Sequence, residues 1–341
     1  MSQSNVEIIP DLSHSNSEKR SPHVVFLDTA STQAGDLDLS PLMNACHGRV
    51  TFWPHTRPEQ LLEHIGSAEI VISNKIHMDA TLIQTLSTML KLICVAATGT
   101  NNIDLAAAQR CHIPVTNIRN YGSQSVAEHV FSLIFALQRS LLSYSLAVHQ
   151  GEWQQSEQFC LLNYPIREIA GSTLLIIGNG TLGQATAKLG AALGMQVLIS
   201  ERPHTAPRTG RIALEDGLKQ ADVVSIHCPL TPETHHLINA ERLKLMKPHA
   251  LIINTARGGI IDEFALIEAL QNGWIGGAGI DVLPIEPPVT GNPLLAVQLP
   301  NLIVTPHIAW ASRTARQRLI EQLANIIQTF THTGEVLNRV V

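Results

Sequence analysis

The chain has 341 residues, 45% of them apolar and 15% charged, more than the ~250–300 residues a single core supports, so two globular domains are expected and disorder is excluded. Lys and Arg number 23 against 28 Asp and Glu, a net charge of −5, and no basic cluster stands out, which argues against a nucleic-acid partner. Five cysteines without a C-x-x-C spacing indicate neither a disulfide framework nor a zinc site and suit a reducing cytoplasm.

Residues 1–22 are polar, carry Glu18, Lys19 and Arg20 where a secretory signal would need an apolar core, and are expected to form a loose tail. From His23 the chain alternates short β-branched runs with helical stretches. Strands are predicted at Val24–Leu27, Arg49–Trp53, Ile70–Ser73 and Leu92–Ala96, and helices at Pro58–Ile65, Asp79–Leu86 and Asp104–Arg110. Such alternation builds a parallel sheet with helices on both faces. Val115 to Ser123 breaks the rhythm, and Val126–His149 reads as one long helix. Its apolar stretch, Val130 to Val148, is long enough for a bilayer, but Gln138 and Arg139 at its centre favour a buried dimer-interface helix over a membrane span.

A second alternating series follows, with strands at Thr173–Ile177, Gln196–Ser200, Val223–His227, Ala250–Thr255, Gly277–Val282 and Leu302–Thr305. Helices are predicted at Leu182–Leu193, Asn239–Met246 and Asp262–Asn272, with Asn239 and Asp262 as N-caps and Gly194 and Gly273 as stops. Prolines crowd Leu283–Pro300, and a last helix, Ser312–Thr331, carries Leu319, Leu323, Ile326, Ile327 and Phe330 on one stripe.

The sharpest local signal is Thr173-Leu-Leu-Ile-Ile-Gly178-Asn-Gly180-Thr181-Leu182-Gly183. A strand enters Gly178 for a tight turn, Gly180 lets backbone approach a pyrophosphate, and Gly183 permits close helix packing. An unliganded glycine turn is the plain alternative, but the strand before, the helix after and Glu201, eighteen residues beyond Gly183, favour a dinucleotide. A P-loop would need Lys and Ser or Thr where Gln184 and Ala185 stand. Glu201 can accept the ribose hydroxyls of NAD and repel a 2′-phosphate, a preference the adjacent Arg202 could soften.

Arg257, Asp281, Glu286 and His307 all lie at the carboxyl ends of strands of this second series, where ligands bind in an open α/β sheet. Taken singly, each is an ordinary surface charge or spectator histidine. Jointly they meet the needs of carbonyl reduction: His307 as proton donor, Arg257 to hold a carboxylate and polarise the carbonyl, Glu286 to orient the acid and keep it charged.

The runs Cys228-Pro-Leu-Thr-Pro-Glu-Thr-His-His-Leu-Ile238, Asn254-Thr-Ala-Arg257-Gly-Gly-Ile-Ile-Asp262, Gly279-Ile-Asp281-Val-Leu-Pro-Ile-Glu286-Pro and Thr305-Pro-His307 resemble the D-isomer-specific 2-hydroxyacid dehydrogenase family. The likeness runs from about His23 to the C-terminus. It implies two doubly wound α/β parallel-sheet domains: a flavodoxin-like substrate domain, 23–120 and 311–341, with a Rossmann NAD-binding domain, 121–310, inserted, and a homodimer formed through 126–149. It also implies catalytic roles for Arg257, Glu286 and His307. Gly178, Gly180, Thr181, Leu182, Gly183, Glu201, Cys228, Pro229, Thr234, Thr255 and Ala256 would meet the cofactor, with Asp281 at the nicotinamide end. Asn74, Thr98, Gly99, Arg257 and Trp310 would meet the substrate. Cys228, His235 and His236 could pass for metal ligands, but their family counterpart is a cofactor-side loop and no fourth ligand is spaced for zinc.

Within that family the segments Ala96-Ala-Thr-Gly-Thr-Asn-Asn102, Tyr121-Gly-Ser-Gln-Ser-Val-Ala127, Gln158-Phe-Cys160 and His307-Ile-Ala-Trp310 resemble glycerate dehydrogenases, also called hydroxypyruvate reductases. Trp310 departs from the small residue usual there and would narrow the pocket. Phosphoglycerate dehydrogenases place Arg where Ser73 stands, and formate dehydrogenases place Gln in the role of Glu286. The resemblance implies NADH-dependent reduction of hydroxypyruvate, and of glyoxylate second. A broader D-2-hydroxyacid dehydrogenase and a dinucleotide-sensing scaffold of the corepressor type are the alternatives.

Overall fold

The computed structural model describes residues 21–203 and 205–341, so the expected polar tail lies, except for its last two residues, outside the described residues. The chain divides into two compact units, one comprising the chain up to Ala34, Asp38–Arg119 and Ile320–Val341, the other Gly35–Leu37 and Asn120–Leu319.

The first unit holds β1 (Val24–Phe26), α1 (Ser40–Ala45), β2 (Val50–Phe52), α2 (Leu61–Ile65), β3 (Ile70–Ser73), α3 (Ala80–Thr85), β4 (Leu92–Val95), α4 (Leu105–Arg110) and β5 (Val115–Asn117). Its strands are parallel in the order β2-β1-β3-β4-β5, the flavodoxin-like order. β1, β3 and β4 are buried along their whole length, as continuous β-branched runs must be when helices cover both sheet faces. Asp79 and Asp104 cap α3 and α4 by accepting from Leu82 N and Ala107 N. The stretch Val115–Ser123, expected only to break the rhythm, supplies β5. Three residues suffice there because Val115 also pairs with the chain's end, donating to Val341 O and accepting from Val340 N, a long-range partnership that no local pattern shows.

The second unit holds α5 (Ser123–Gln138), α6 (Leu141–His149), β6 (Thr173–Ile177), α7 (Thr181–Ala192), β7 (Gln196–Ile199), α8 (Leu214–Gln220), β8 (Val223–Ile226), α9 (Ala240–Leu245), β9 (Leu251–Asn254), α10 (Glu263–Gln271), β10 (Gly277–Ile280) and β11 (Leu302–Val304). The six strands are parallel in the order β11-β10-β9-β8-β6-β7, which places the switch of direction between β6 and β8. A crevice opens at the carboxyl ends of such strands. The division between the units falls within α11 (Arg313–Thr333), whose Leu319, Leu323, Ile326 and Ile327 are buried.

The single helix expected over Val126–His149 is instead two helices bent by 57°. Ser140 adopts the left-handed region at φ 46°, its hydroxyl donates to Pro165 O at 2.8 Å, and Gln138 O accepts from Arg167 N at 2.9 Å. The segment around Pro165 thus takes over the groups that would have continued the helix. α8 has no counterpart among the predicted helices; it packs closely on β6, a Cβ at its Gly217 falling 2.7 Å from the Leu175 side chain. Among the described residues no single helix is long and apolar enough to cross a membrane.

Candidate active site

The turn after β6 is built of glycines for steric reasons. Gly178 has φ 99°, and a Cβ there would come within 2.6 Å of the His227 carbonyl at the end of β8. A Cβ on Gly183 would lie 2.0 Å from Gly178 O, whereas one on Gly180 meets nothing within 4 Å. Gly180 is also the N-cap of α7 and brings no side chain to it, so the first amides of Thr181, Leu182 and Gly183 have no side-chain cap and lie beside empty space. That cradle fits a pyrophosphate at the positive end of the helix.

Around it, Thr234 Oγ1 accepts from Thr231 N and donates to Pro229 O, both at 2.7 Å, which pins the loop after β8. Burial pushes the Cys228 thiol up to about 11, and among the described residues no group of three or more His, Cys, Asp or Glu side chains is gathered that could hold a metal ion. His235 and His236 stack on each other instead, ring centroids 4.0 Å apart. After β9, Thr255 Oγ1 is buried and has no hydrogen-bond partner among the described residues, which leaves a polar group beside Ala256 for a ligand.

Glu201, at the end of β7, is buried and fully engaged. Oε1 accepts from Arg202 N at 2.9 Å and Arg208 Nη2 at 2.7 Å, and Oε2 from Arg208 Nε at 2.7 Å and Arg208 N at 3.3 Å. These hydrogen bonds, led by the Arg208 fork, hold its carboxyl down at about 2. Sequence reasoning misses Arg208; the only signal is the recurrence of arginine at 202, 208 and 211.

The acid–base candidates come from three loops of the same unit. Asn254 folds the loop after β9, its amide donating to Arg257 O and its Oδ1 accepting from Ala256 N. Arg257 itself is exposed, with Nη1 2.7 Å from Ala256 O. At Gly258 a Cβ would fall 2.0 Å from Leu283 C, so only glycine lets the Arg257 loop lie against the backbone that leads to Glu286. Glu286 Oε1 accepts from Leu283 N at 2.8 Å, which aims Oε2 at His307 Nδ1, 2.6 Å away. His307 is held in the left-handed region at φ 56°, its amide donating to Asp281 O. With Nδ1 engaged, Nε2 is the nitrogen left to face a substrate.

Asp281, expected at the nicotinamide end, anchors the histidine loop. Its Oδ1 accepts from Thr305 Oγ1 at 2.6 Å and Ile308 N at 2.9 Å, and its Oδ2 from Ala309 N at 2.9 Å. His129 Nε2, on α5, lies 3.1 Å from Thr305 Oγ1 and extends the network. Trp310 donates from Nε1 to His307 O at 3.0 Å and packs edge-on against Tyr121, whose buried phenol is pushed up to about 12. Neither His129 nor Thr305 carries a sequence signal of this role.

In the first unit, Thr98 and Gly99 follow β4, and Thr98 ties that loop to the end of β5 through Oγ1 to Ile118 O at 2.9 Å and an accepted bond from Asn117 Nδ2 at 2.7 Å. Thr98 is exposed. Asn74 is buried after β3, its amide side chain donating to Ser31 Oγ at 3.1 Å and its backbone N–H to Asp28 Oδ1 at 2.9 Å.

The family model for the D-isomer specific 2-hydroxyacid dehydrogenase NAD binding domain matches residues 131–309. A glycerate dehydrogenase of Methylorubrum extorquens is 48% identical over 307 residues, 90% of this chain and 95% of that protein. A hydroxypyruvate reductase of Blautia hydrogenotrophica is 36% identical over 90% of this chain and 96% of its own. A crystal structure of a Thermus thermophilus protein superposes with a TM-score of 0.81 at 34% identity, covering 94% of this chain and all of that one. The chain belongs to the D-isomer-specific 2-hydroxyacid dehydrogenase family and carries its NAD-binding domain.

Proposed function

We propose that the protein reduces hydroxypyruvate to D-glycerate with NADH, and glyoxylate to glycolate second. The observation that carries the reading is the 2.6 Å pair of His307 and Glu286, placed by loops at the carboxyl ends of the NAD-domain strands. The glycerate dehydrogenase and hydroxypyruvate reductase relatives narrow the substrate to a small 2-keto acid.

A dinucleotide held by the glycine turn at Gly178, Gly180 and Gly183 would supply a hydride for the carbonyl carbon. His307 gives the proton on Nε2 to the carbonyl oxygen, so hydride and proton together add across the C=O bond to leave a hydroxyl. Glu286 fixes the ring through Nδ1, which leaves Nε2 facing the carbonyl oxygen. The Arg257 fork grips the carboxylate and offsets charge growing on the carbonyl oxygen. On the cofactor side, Gly178, Gly180, Thr181, Leu182 and Gly183 would hold the pyrophosphate, Glu201 would lie toward the adenosine ribose, and Cys228, Pro229, Thr234, Thr255, Ala256 and Asp281 would line the remainder.

In this reading residues 23–120 and 311–341 form the substrate domain and 121–310 the cofactor domain. The chain works as a cytoplasmic homodimer without nucleic-acid or membrane partners; its five thiols are all free. Leu141, Leu142, Leu146 and Val148 of α6, with Phe159 and Leu162 beyond it, are exposed and supply the apolar face a second copy would cover. Following NADH oxidation over a panel of 2-keto acids tests the assignment. Highest kcat/KM on hydroxypyruvate supports it; preference for longer side chains would make it a broader dehydrogenase, and no turnover would leave a dinucleotide sensor.

A further inference from the structure

His307 stands on backbone that its surroundings must hold. Its φ of 56° lies in the left-handed region, where a side chain stays only if neighbouring contacts over-determine the conformation. Those contacts come from two sides. On one, the Asp281 side chain is wholly buried and accepts from Thr305 Oγ1, Ile308 N and Ala309 N, which bracket His307 in sequence. On the other stands α5. Ser125 Oγ donates to Ala309 O at 2.7 Å, and His129, one turn on and so on the same helix face, places Nε2 3.1 Å from Thr305 Oγ1 and 3.5 Å from Asp281 Oδ1.

The direction of the His129 bond follows from the hydrogen count. A hydroxyl has one hydrogen, and Thr305 donates it to Asp281 Oδ1 at 2.6 Å. Toward His129 the hydroxyl is left as an acceptor, so the ring donates from Nε2. A bond donated to a hydroxyl polarises it and strengthens the bond that it donates in turn. The ring thus both orients the Thr305 hydroxyl and reinforces its hold on Asp281.

We propose that His129 is a positioning residue for the proton transfer: donating from Nε2 to Thr305 Oγ1, it fixes Asp281 and, with Ser125, clamps the loop that carries His307 against α5. It acts through Thr305 and Asp281, not on the reacting atoms. A loosened loop displaces the His307 ring, and a misplacement of about 1 Å can slow a reaction about a hundredfold. The inference rests on the reading of His307 as the acid and adds the residue that keeps that acid in place.

The test compares His129→Leu with His129→Gln in the full-length protein. Glutamine can bring an amide N–H to the place of Nε2, whereas leucine fills the space without a donor. NADH oxidation with the 2-keto acid that the wild type reduces best, NADH titration and thermal melts are read on each. In His129→Leu kcat should fall about tenfold or more, while the KM for the keto acid and the NADH Kd stay within about threefold. In His129→Gln kcat should stay within about threefold of wild type. Because His129 acts through His307, adding His129→Leu to His307→Ala should lower the residual turnover no further. Equal losses of kcat in the two variants, a loss shared by NADH binding, or additive losses in the double variant overturn the proposal. If His129→Leu does not fold, His129→Asn takes its place, since its amide is too short to reach Thr305 Oγ1 and kcat should fall as in the leucine variant. A wild type that turns over no 2-keto acid overturns the reading of the site itself, whereas normal turnover in His129→Leu overturns only this inference.

Discussion

Glu286 Oε2 lies 2.6 Å from His307 Nδ1, and the same carboxylate's other oxygen is pinned by Leu283 N at 2.8 Å. The pair is therefore aimed by backbone on both sides, since His307 N in turn donates to Asp281 O. His307→Ala should lower turnover by about 10²–10⁴, the usual contribution of a positioned acid, with the NADH Kd nearly unchanged. Glu286→Gln keeps the shape of the side chain but loses the charge-assisted bond that fixes the ring through Nδ1, so turnover should fall while the NADH Kd stays nearly unchanged. Steady-state kinetics and NADH titrations check both; near-normal turnover in His307→Ala would show that the proton comes from elsewhere.

The glycine turn yields a paired prediction. Gly180→Ala meets no atom within 4 Å, so the variant should fold and melt like the wild type while NADH binding weakens, because its methyl occupies the pyrophosphate's place. In Gly183→Ala the Cβ would lie 2.0 Å from Gly178 O, so the turn itself must move and the melting temperature should drop. Thermal melts and NADH titrations separate the two; unchanged NADH binding in Gly180→Ala would place the pyrophosphate elsewhere.

Much of this is legible in the sequence because its cause is local. Gly178, Gly180 and Gly183 announce their turn by spacing, and Asn239 and Asp262 cap α9 and α10 as residues of their type do, by accepting from amides two or three positions on. The strand-end positions of Arg257, Glu286 and His307 follow from alternation alone. What escapes depends on contacts between distant segments. Ser140 breaks a helix because residues around Pro165 are there to receive it, and Asp281 proves to be an anchor only once Thr305, Ile308 and Ala309 fold back onto it. Arg208 sits in a loop whose course toward Glu201 no periodicity encodes.

That anchor predicts a cost away from the reacting atoms. Thr305→Val keeps the shape of the side chain but removes the hydroxyl that donates to Asp281 at 2.6 Å and stands 3.1 Å from His129 Nε2. Losing one donor to a buried carboxylate should lower stability by about 1–3 kcal/mol. Turnover should fall further than NADH affinity, because the loop positions His307 rather than the cofactor. Denaturant unfolding and a kcat-against-Kd comparison measure the two effects; a variant with full stability would remove the anchor role.

Exposed leucines on α6 predict self-association. Light scattering at micromolar concentration should report twice the 37.1 kDa chain mass. Leu142→Asp with Leu146→Asp, which put two charges on residues 56% and 57% exposed in the single chain, should return the monomer without unfolding it. A wild-type monomer at that concentration would leave the apolar face unexplained.

The last prediction concerns acid stability. His227, at the end of β8, has Nε2 2.8 Å from Ser225 Oγ and a buried Nδ1 without a partner among the described residues. Burial pushes it down from 6.5 to about 4, because the charged imidazolium would lose its solvation there. The unfolded chain therefore binds a proton between pH 6.5 and 4 that the folded chain refuses. Stability is full above about pH 6.5 and declines as the pH falls toward 4, by on the order of 3 kcal/mol at most from this residue. Glu201 acts in a lower window: its carboxyl is held at about 2, so its contribution persists through this range and is lost only as the pH falls below about 4.5 toward 2. The two windows can be told apart. His227→Gln removes the titrating ring while retaining an amide for Ser225, so its unfolding free energy should be flatter between about pH 6.5 and 4.5 than that of the wild type. Urea denaturation at half-unit pH intervals measures both slopes, and parallel slopes in the two proteins would assign the acid sensitivity to other groups.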